Sequence, residues 1–183
     1  MLAISRPYVE HATVTLEHDV PTLDEFCGRI REVSEEFPWL VCEMDGVIVG
    51  YAYAHRYKVR FGYRFCAELS VYIDENCRAM GLGRRLYGAL IELLTRMGYK
   101  NLYGIVTDPN PASFALHEAM GFFESGREHL AGNKFGDWHD VVHFERIIGP
   151  HEVTADPAHW RDCPKSFDEL GQAADEILQH FSK

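Results

Sequence analysis

Between Arg64 and Met97 the chain reads RFCAELSVYI, a short acidic break, then Arg78-Ala79-Met80-Gly81-Leu82-Gly83-Arg84, and from Leu82 an apolar repeat at Leu82, Leu86, Ala89, Leu90, Leu93 and Met97. The first run has the residue content of a strand, the last has a helical period, and Gly98 stands where a C-terminal cap belongs. A strand that passes through two glycines one residue apart into a helix is the tightest constraint on the fold. Glycines let the backbone bend and let a ligand approach, and the unpaired N–H groups of a helix N-terminus favour an anion such as a pyrophosphate. The G-x-x-x-x-G-K-[ST] of a P-loop and the third glycine of a dinucleotide fingerprint are both missing, which removes those two phosphate sites. A plain strand-to-helix turn is the competing explanation.

The flanking segments build a layered domain around this unit. Thr22 and Glu25 form a capping box ahead of Leu23, Phe26, Cys27, Ile30 and Val33, predicting a helix from about Thr22 to Glu36. WLVCEMDGVIVGYAYAHRY predicts two strands turning at Asp45-Gly46. NLYGIVT reads as a strand, PASFALHEAM as a short helix stopped at Gly121, and Phe122 to Ile148 as a final strand pair. This order predicts an α/β domain, a sheet carrying helices on its faces. The 183 residues suit one such domain.

The predicted domain ends at Gly149-Pro150, giving a domain over 1–149 and a linker with an amphipathic C-terminal helix over 150–183. In that tail Ser166 and Glu169 form a second capping box before Phe167, Leu170, Ala174, Ile177, Leu178 and Phe181. Its apolar stripe requires cover, either from the chain's own domain or from another subunit. The formal charge of -10 argues against a nucleic-acid partner. No segment approaches the ~20 apolar residues of a membrane span, and the N-terminus lacks a signal-type apolar core. Five dispersed cysteines, an odd count without a C-x-x-C pair, favour reduced thiols in a cytoplasmic protein over disulfides or a metal site.

Arg78-x-x-Gly81-x-Gly83 after a strand resembles the acetyl-CoA pyrophosphate motif of the GNAT acetyltransferase superfamily. FPWLVCEMDGVIVGYAYA, AELSVYI, RAMGLGRRLYGALIELL, NPASFALHEAMGF and GNKFGDWHDVVHFE follow, in order, the pattern of its phosphinothricin acetyltransferase group. The resemblance runs from about Tyr8 to Ile148 and implies a mixed central sheet with helices on both faces. It further implies acetyl-CoA as co-substrate, an amino group of a small amino-acid-like acceptor as the site of transfer, and a homodimer. The acceptors it implies are phosphinothricin, methionine sulfoximine or methionine sulfone. The group's opening strand and helix are mostly absent from the sequence pattern. The sheet edge is therefore expected to be uncovered, or filled by MLAIS or another segment.

Amide formation requires a neutral amine, a positioned thioester, a stabilised oxyanion and a proton for the leaving thiolate. Alternation sets Glu68 with Ser70 and Tyr72 on one strand face and Ala67, Leu69 and Val71 on the other. A mid-strand carboxylate is half solvated or functional, and the resemblance makes Glu68 the general base. It also implies that Val71, Tyr72, Ile73, Arg78, Ala79, Met80, Gly81, Leu82, Gly83, Arg84, Asn110 and Ser113 bind the co-substrate. His117 occupies a position where many GNAT enzymes carry a proton-donating tyrosine, with a packing histidine as the alternative. His139 falls in the stretch that closes the acceptor pocket, against a structural role beside Asp140. Tyr63 and Arg64 precede the strand, and the Arg64 fork suits an acceptor carboxylate or simply faces water. The rival readings are acetylation of a protein N-terminus or polyamine, and an acyl-CoA-binding regulatory module without turnover.

Overall fold

The computed structural model of the chain describes residues 1–182. The described residues hold one six-stranded mixed sheet in the order β1-β2-β3-β4-β6-β5, with β1 Trp39–Met44, β2 Val47–Arg56, β3 Cys66–Ile73, β4 Asn101–Asp108, β5 Phe123–Lys134 and β6 Asp137–Ile147. All neighbours are antiparallel except β3 and β4. The β1–β2 turn places Asp45 at φ 52 and Gly46 at φ 79, the doubly left-handed geometry that a two-residue hairpin requires.

Helices α1 Leu2–His11 and α2 Leu23–Ser34 cover one face, and α3 Leu82–Met97 and α4 Pro111–Ala119 the other. On the α3 face the core gathers Ala52, Ala54, Ala67, Leu69, Leu90, Leu93, Leu94, Leu102 and Phe144, all under 5% exposed. On the opposite face Ile4 and Phe26 pack onto Tyr51, Trp39 and Tyr72. The Thr22–Glu25 capping box forms in full, and Gly98 caps α3 at φ 97.

Two expectations are corrected here. The wall helix that the sequence pattern fails to reveal is present as α1, which carries Pro7 inside it and anchors through Ile4 and Val9. MLAIS contributes to this helix and does not fill the sheet edge; β1 is the edge, and its Val41 is 47% exposed. The predicted C-terminal helix divides in two. The Ser166 N–H donates to Glu169 Oε2 at 2.7 Å, but that box caps only the short turn Asp168–Leu170, because Gly171 at φ 50 breaks the run before α5, Gln172–Phe181. Between its two proposed covers, α5 takes its own chain: Ala174 and Ile177 are buried in the main core, and the Phe181 ring lies 2.7 Å from where a Cβ on Gly88 of α3 would stand.

Candidate functional site

The parallel ladder between β3 and β4 has three rungs, Cys66↔Asn101, Ala67↔Leu102 and Glu68↔Tyr103, and then stops. Beyond Glu68, residues Leu69 to Ile73 remain paired to β2 on one side and have no strand partner on the other. Two parallel strands that part in this way open a slot lined by backbone, with Glu68 at its closed end and the glycine turn at its mouth. Val71, Tyr72 and Ile73 line the open edge. Tyr72 turns its ring to Tyr8 of α1 and Tyr51 of β2, and the Ile73 carbonyl accepts from the Tyr8 hydroxyl at 2.6 Å.

At the mouth, Gly81 is the N-cap of α3 at φ 78, and Ala79 also takes a positive φ of 62. No side chain caps this helix, so its first N–H groups keep their donors for a ligand. A Cβ at Gly81 would meet nothing within 4 Å, and one at Gly83 would make only ordinary contact with Ile73. The glycines therefore leave open space where an anion would approach, and the donors fit a pyrophosphate. Arg78 lies over the Tyr8 ring at 5.0 Å and Met80 is 53% exposed. Leu82 is a core residue, which restricts it to a backbone role. Arg84 is exposed, whereas Arg85 donates to the Phe181 carbonyl at 3.0 Å.

At the closed end, the Glu68 side chain is 22% exposed with His55 Nε2 at 3.6 Å from Oε1. Burial pushes its carboxyl above the usual range, and the charges of His55 and His143 oppose the shift. A carboxylate held this way is a better proton acceptor near neutrality than an exposed one. Its rung partner Tyr103 stacks on Tyr57 at 3.8 Å, and Tyr63 meets Tyr57 edge-on at 6.4 Å, so Tyr63 is tied to the same end of the slot. On the α1–α2 side of the sheet, a cleft of about 230 Å³ is lined by Val9, Glu17, Phe26, Trp39, Tyr53 and Tyr72.

His139 pairs with Gly132 of β5, over which Leu16 of the α1–α2 connection is laid so closely that a Cβ there would be 2.8 Å from it. Its Nε2 is buried and lacks a hydrogen-bond partner. Lys134, fully buried, donates from Nζ to the carbonyls of Thr15 at 2.7 Å and Tyr8 at 3.3 Å, binding that connection to the β5–β6 hairpin.

The expected roles of two residues do not match their surroundings. His117 is 4% exposed; its Nδ1 donates to the Ser113 carbonyl at 2.8 Å, leaving Nε2 to accept from the Tyr87 hydroxyl at 2.9 Å. With both nitrogens engaged and the ring stacked on Phe144, it holds the core together and does not face the slot as an acid. Arg64 is likewise committed, donating to the carbonyls of Trp160 at 2.9 Å and Asp162 while lying over Phe61 and Phe65. It fastens the tail and offers no free fork to a carboxylate. Asn110 caps α4 by accepting from the Ser113 N–H at 3.2 Å. Sequence reasoning missed His55, Tyr57, Tyr103, Lys134 and His143. Strand alternation could have set His55 on the face of Tyr51 and Tyr53, but not beside Glu68. Among the described residues no group of three or more His, Cys, Asp or Glu is arranged for a metal ion, and no helix is long and apolar enough to cross a membrane.

Comparison with known proteins agrees with this geometry. The family model described as acetyltransferase (GNAT) domain matches residues 2–143. The phosphinothricin N-acetyltransferase of Streptomyces viridochromogenes is 35% identical over 139 residues, 76% of each chain. The L-methionine sulfoximine/L-methionine sulfone acetyltransferase of Salmonella typhimurium is 33% identical over 115 residues, 63% of this chain and 67% of its own. Among solved structures, a GNAT superfamily phosphinothricin acetyltransferase from Sinorhizobium meliloti, in complex with acetyl-CoA, superposes with a TM-score of 0.78 at 31% identity over 81% of each chain. With the split sheet, the uncapped glycine turn and a family match over most of its length, the chain belongs to the GNAT acetyltransferase family.

Proposed function

We propose that this enzyme moves the acetyl group of acetyl-CoA to the amino group of a small amino-acid-like acceptor of the phosphinothricin, methionine sulfoximine or methionine sulfone type, by direct attack of the amine. The observation that carries the reading is the end of the β3–β4 ladder at Glu68, which puts a partly desolvated carboxylate at the foot of a slot whose mouth is a helix N-terminus. The names of the relatives supply the acceptor class. When bound, acetyl-CoA supplies the activated thioester. The N–H groups around Gly81 and Gly83, with Arg78 and Arg84, would hold its pyrophosphate, and the free edge Val71–Ile73 its pantetheine arm. Glu68 takes the proton from the incoming ammonium so that a neutral amine can attack. Tyr63 and the unpartnered Nε2 of His139 are the polar groups available to orient the acceptor.

A homodimer is supported by Leu130, Phe135 and Trp138 of the β5–β6 hairpin, each at least 60% exposed and forming apolar surface that a second copy would cover. A cytoplasmic setting is supported by five free cysteines. Thiol release from acetyl-CoA, measured against a panel of amino acids, sulfoximines, sulfones, polyamines and N-terminal peptides, tests the acceptor. Turnover confined to polyamines or peptides would overturn it. Glu68→Gln keeps the shape, so acetyl-CoA should still bind while kcat/KM falls by on the order of 10² or more; unchanged kinetics would remove Glu68 as the base.

A further inference from the structure

Glu68 gains a proton in every turnover and must lose it before the next. Its carboxylate is only 22% exposed, and among the described residues the imidazole nearest to it is that of His55, paired with it across the β2–β3 ladder. His55 Nδ1 lies 3.2 Å from the Arg56 carbonyl oxygen. A carbonyl only accepts, so Nδ1 carries the hydrogen of the neutral ring and Nε2 carries the lone pair. That lone pair is the atom 3.6 Å from Glu68 Oε1, a small ring rotation from hydrogen-bonding distance, while the side chain itself is 35% exposed. The imidazole thus sets Nε2 near the buried carboxyl while about a third of the side chain is open to water.

We propose that His55 is the proton exit of this site, a positioning residue that clears Glu68 between turnovers. The inference rests on Glu68 being the base. In the step, an N–H bond of the acceptor ammonium breaks and an O–H bond forms on Glu68. That O–H bond then breaks as an N–H bond forms on His55 Nε2, and the exposed imidazolium discharges to bulk water. The amine lone pair forms the amide bond to the acetyl carbon, the C–S bond breaks, and the sulfur leaves with the second N–H proton. One ammonium and one thioester therefore give one amide, one thiol and one released proton.

Other ionisable groups around Glu68 do not offer the same route. On β2, the Tyr53 phenol lies beside Ser70, and burial raises it above its ordinary range. On β4, Tyr103 donates to Glu145 of β6 at 3.0 Å and is pushed upward too. His143 of β6 is engaged through Nε2 with Glu128 of β5 at 2.9 Å. Cys66, two residues before Glu68 on β3, is raised by burial, and Tyr87 of α3 is a buried phenol whose hydroxyl is engaged with His117 at 2.9 Å. His143 adds to the local field, but among the described residues only His55 brings a ring nitrogen within 4 Å of the carboxyl while keeping access to water.

The test is the pH dependence of kcat and kcat/KM for wild type, His55→Gln and Glu68→Gln, each with and without added imidazole. His55→Gln is expected to lower kcat by about tenfold, less than the ~10² of a lost general base because some water still reaches Glu68. The acidic limb should move to higher pH, since a protonated imidazole at this position favours the Glu68 carboxylate and Gln cannot carry that charge. Added imidazole should restore the rate in His55→Gln and not in Glu68→Gln. A His55→Gln enzyme with wild-type rate and limb, or one impaired but indifferent to imidazole, overturns the inference even if Glu68→Gln is inactive. A Glu68→Gln enzyme that turns over normally removes the underlying reading instead.

Discussion

Replacing His117 by Asn separates a core histidine from a catalytic one. In the wild type the ring accepts from Tyr87, donates to the Ser113 carbonyl and packs against Gly104 of β4, where a side chain would collide with its Nε2. The shorter Asn leaves the Tyr87 hydroxyl, on a side chain 0% exposed, without its acceptor. An orphaned buried hydroxyl costs about 1–3 kcal/mol, and the lost packing against Phe122 and Phe144 adds about 1 kcal/mol. For a chain of this length each kcal/mol moves Tm by about 2–4 °C, so a drop of roughly 4–16 °C is expected. Burial lowers the His117 pKa, so the folded state binds fewer protons than the unfolded one between that lowered value and the free value of about 6.5. Its stabilising contribution is therefore present above about pH 6.5 and is lost as pH falls through the folded value. The wild type should lose stability on acidification, and that component should vanish in His117→Asn. Melting curves from pH 5 to 8, with turnover per folded molecule measured well below Tm, check both effects. A variant with wild-type Tm, reduced turnover and a missing basic limb would refute the packing argument and return His117 to the mechanism.

Two further substitutions address the ends of the site. Gly83→Val has room for its Cβ beside Ile73, so Tm should hold within a few degrees while acetyl-CoA affinity, measured by calorimetry, weakens by about tenfold or more through loss of one N–H approach to a charged group; unchanged affinity in the folded variant would sink the phosphate assignment. Lys134→Met keeps the apolar stem but frees the α1–α2 connection, so the acceptor KM should rise by about tenfold with acetyl-CoA affinity intact, and equal weakening for both ligands would contradict a role confined to the acceptor wall.

Local chemistry made much of the fold legible. Thr22–Glu25, Asp45-Gly46 and Gly98 are signals whose meaning is set within a few residues, and each appears where its spacing predicts. α1 was hidden because its stability is tertiary: Pro7 reads as a breaker, and Ile4 and Val9 make a helix worthwhile only once Phe26, Tyr51 and Tyr72 are assembled beneath them. The tail misled for the opposite reason. Ser166 and Glu169 are a genuine cap, but a positive-φ glycine immediately after the capped turn overrules the apolar period that continues beyond it.

The site divides along the same line between local and long-range information. Glu68 could be assigned to a strand face because alternation is a property of one segment, and the glycine turn because it is contiguous. His55 stands 13 positions earlier on another strand, and only the register Glu68↔His55 makes the two neighbours. A one-residue slip of that hairpin would send His55 into the core face with Ala52 and Ala54. Gly104 did carry a usable signal: a glycine inside NLYGIVT marks close approach by something, and that something is the His117 ring. Taken with that clue, the histidine of LHEAMGF reads as the partner a side-chain-free strand position was made to receive, and its distance from the chemistry follows. The proposed function therefore rests on residues of two kinds, a motif that any reader of one segment can find and a facing pair that exists only after the sheet has chosen its register.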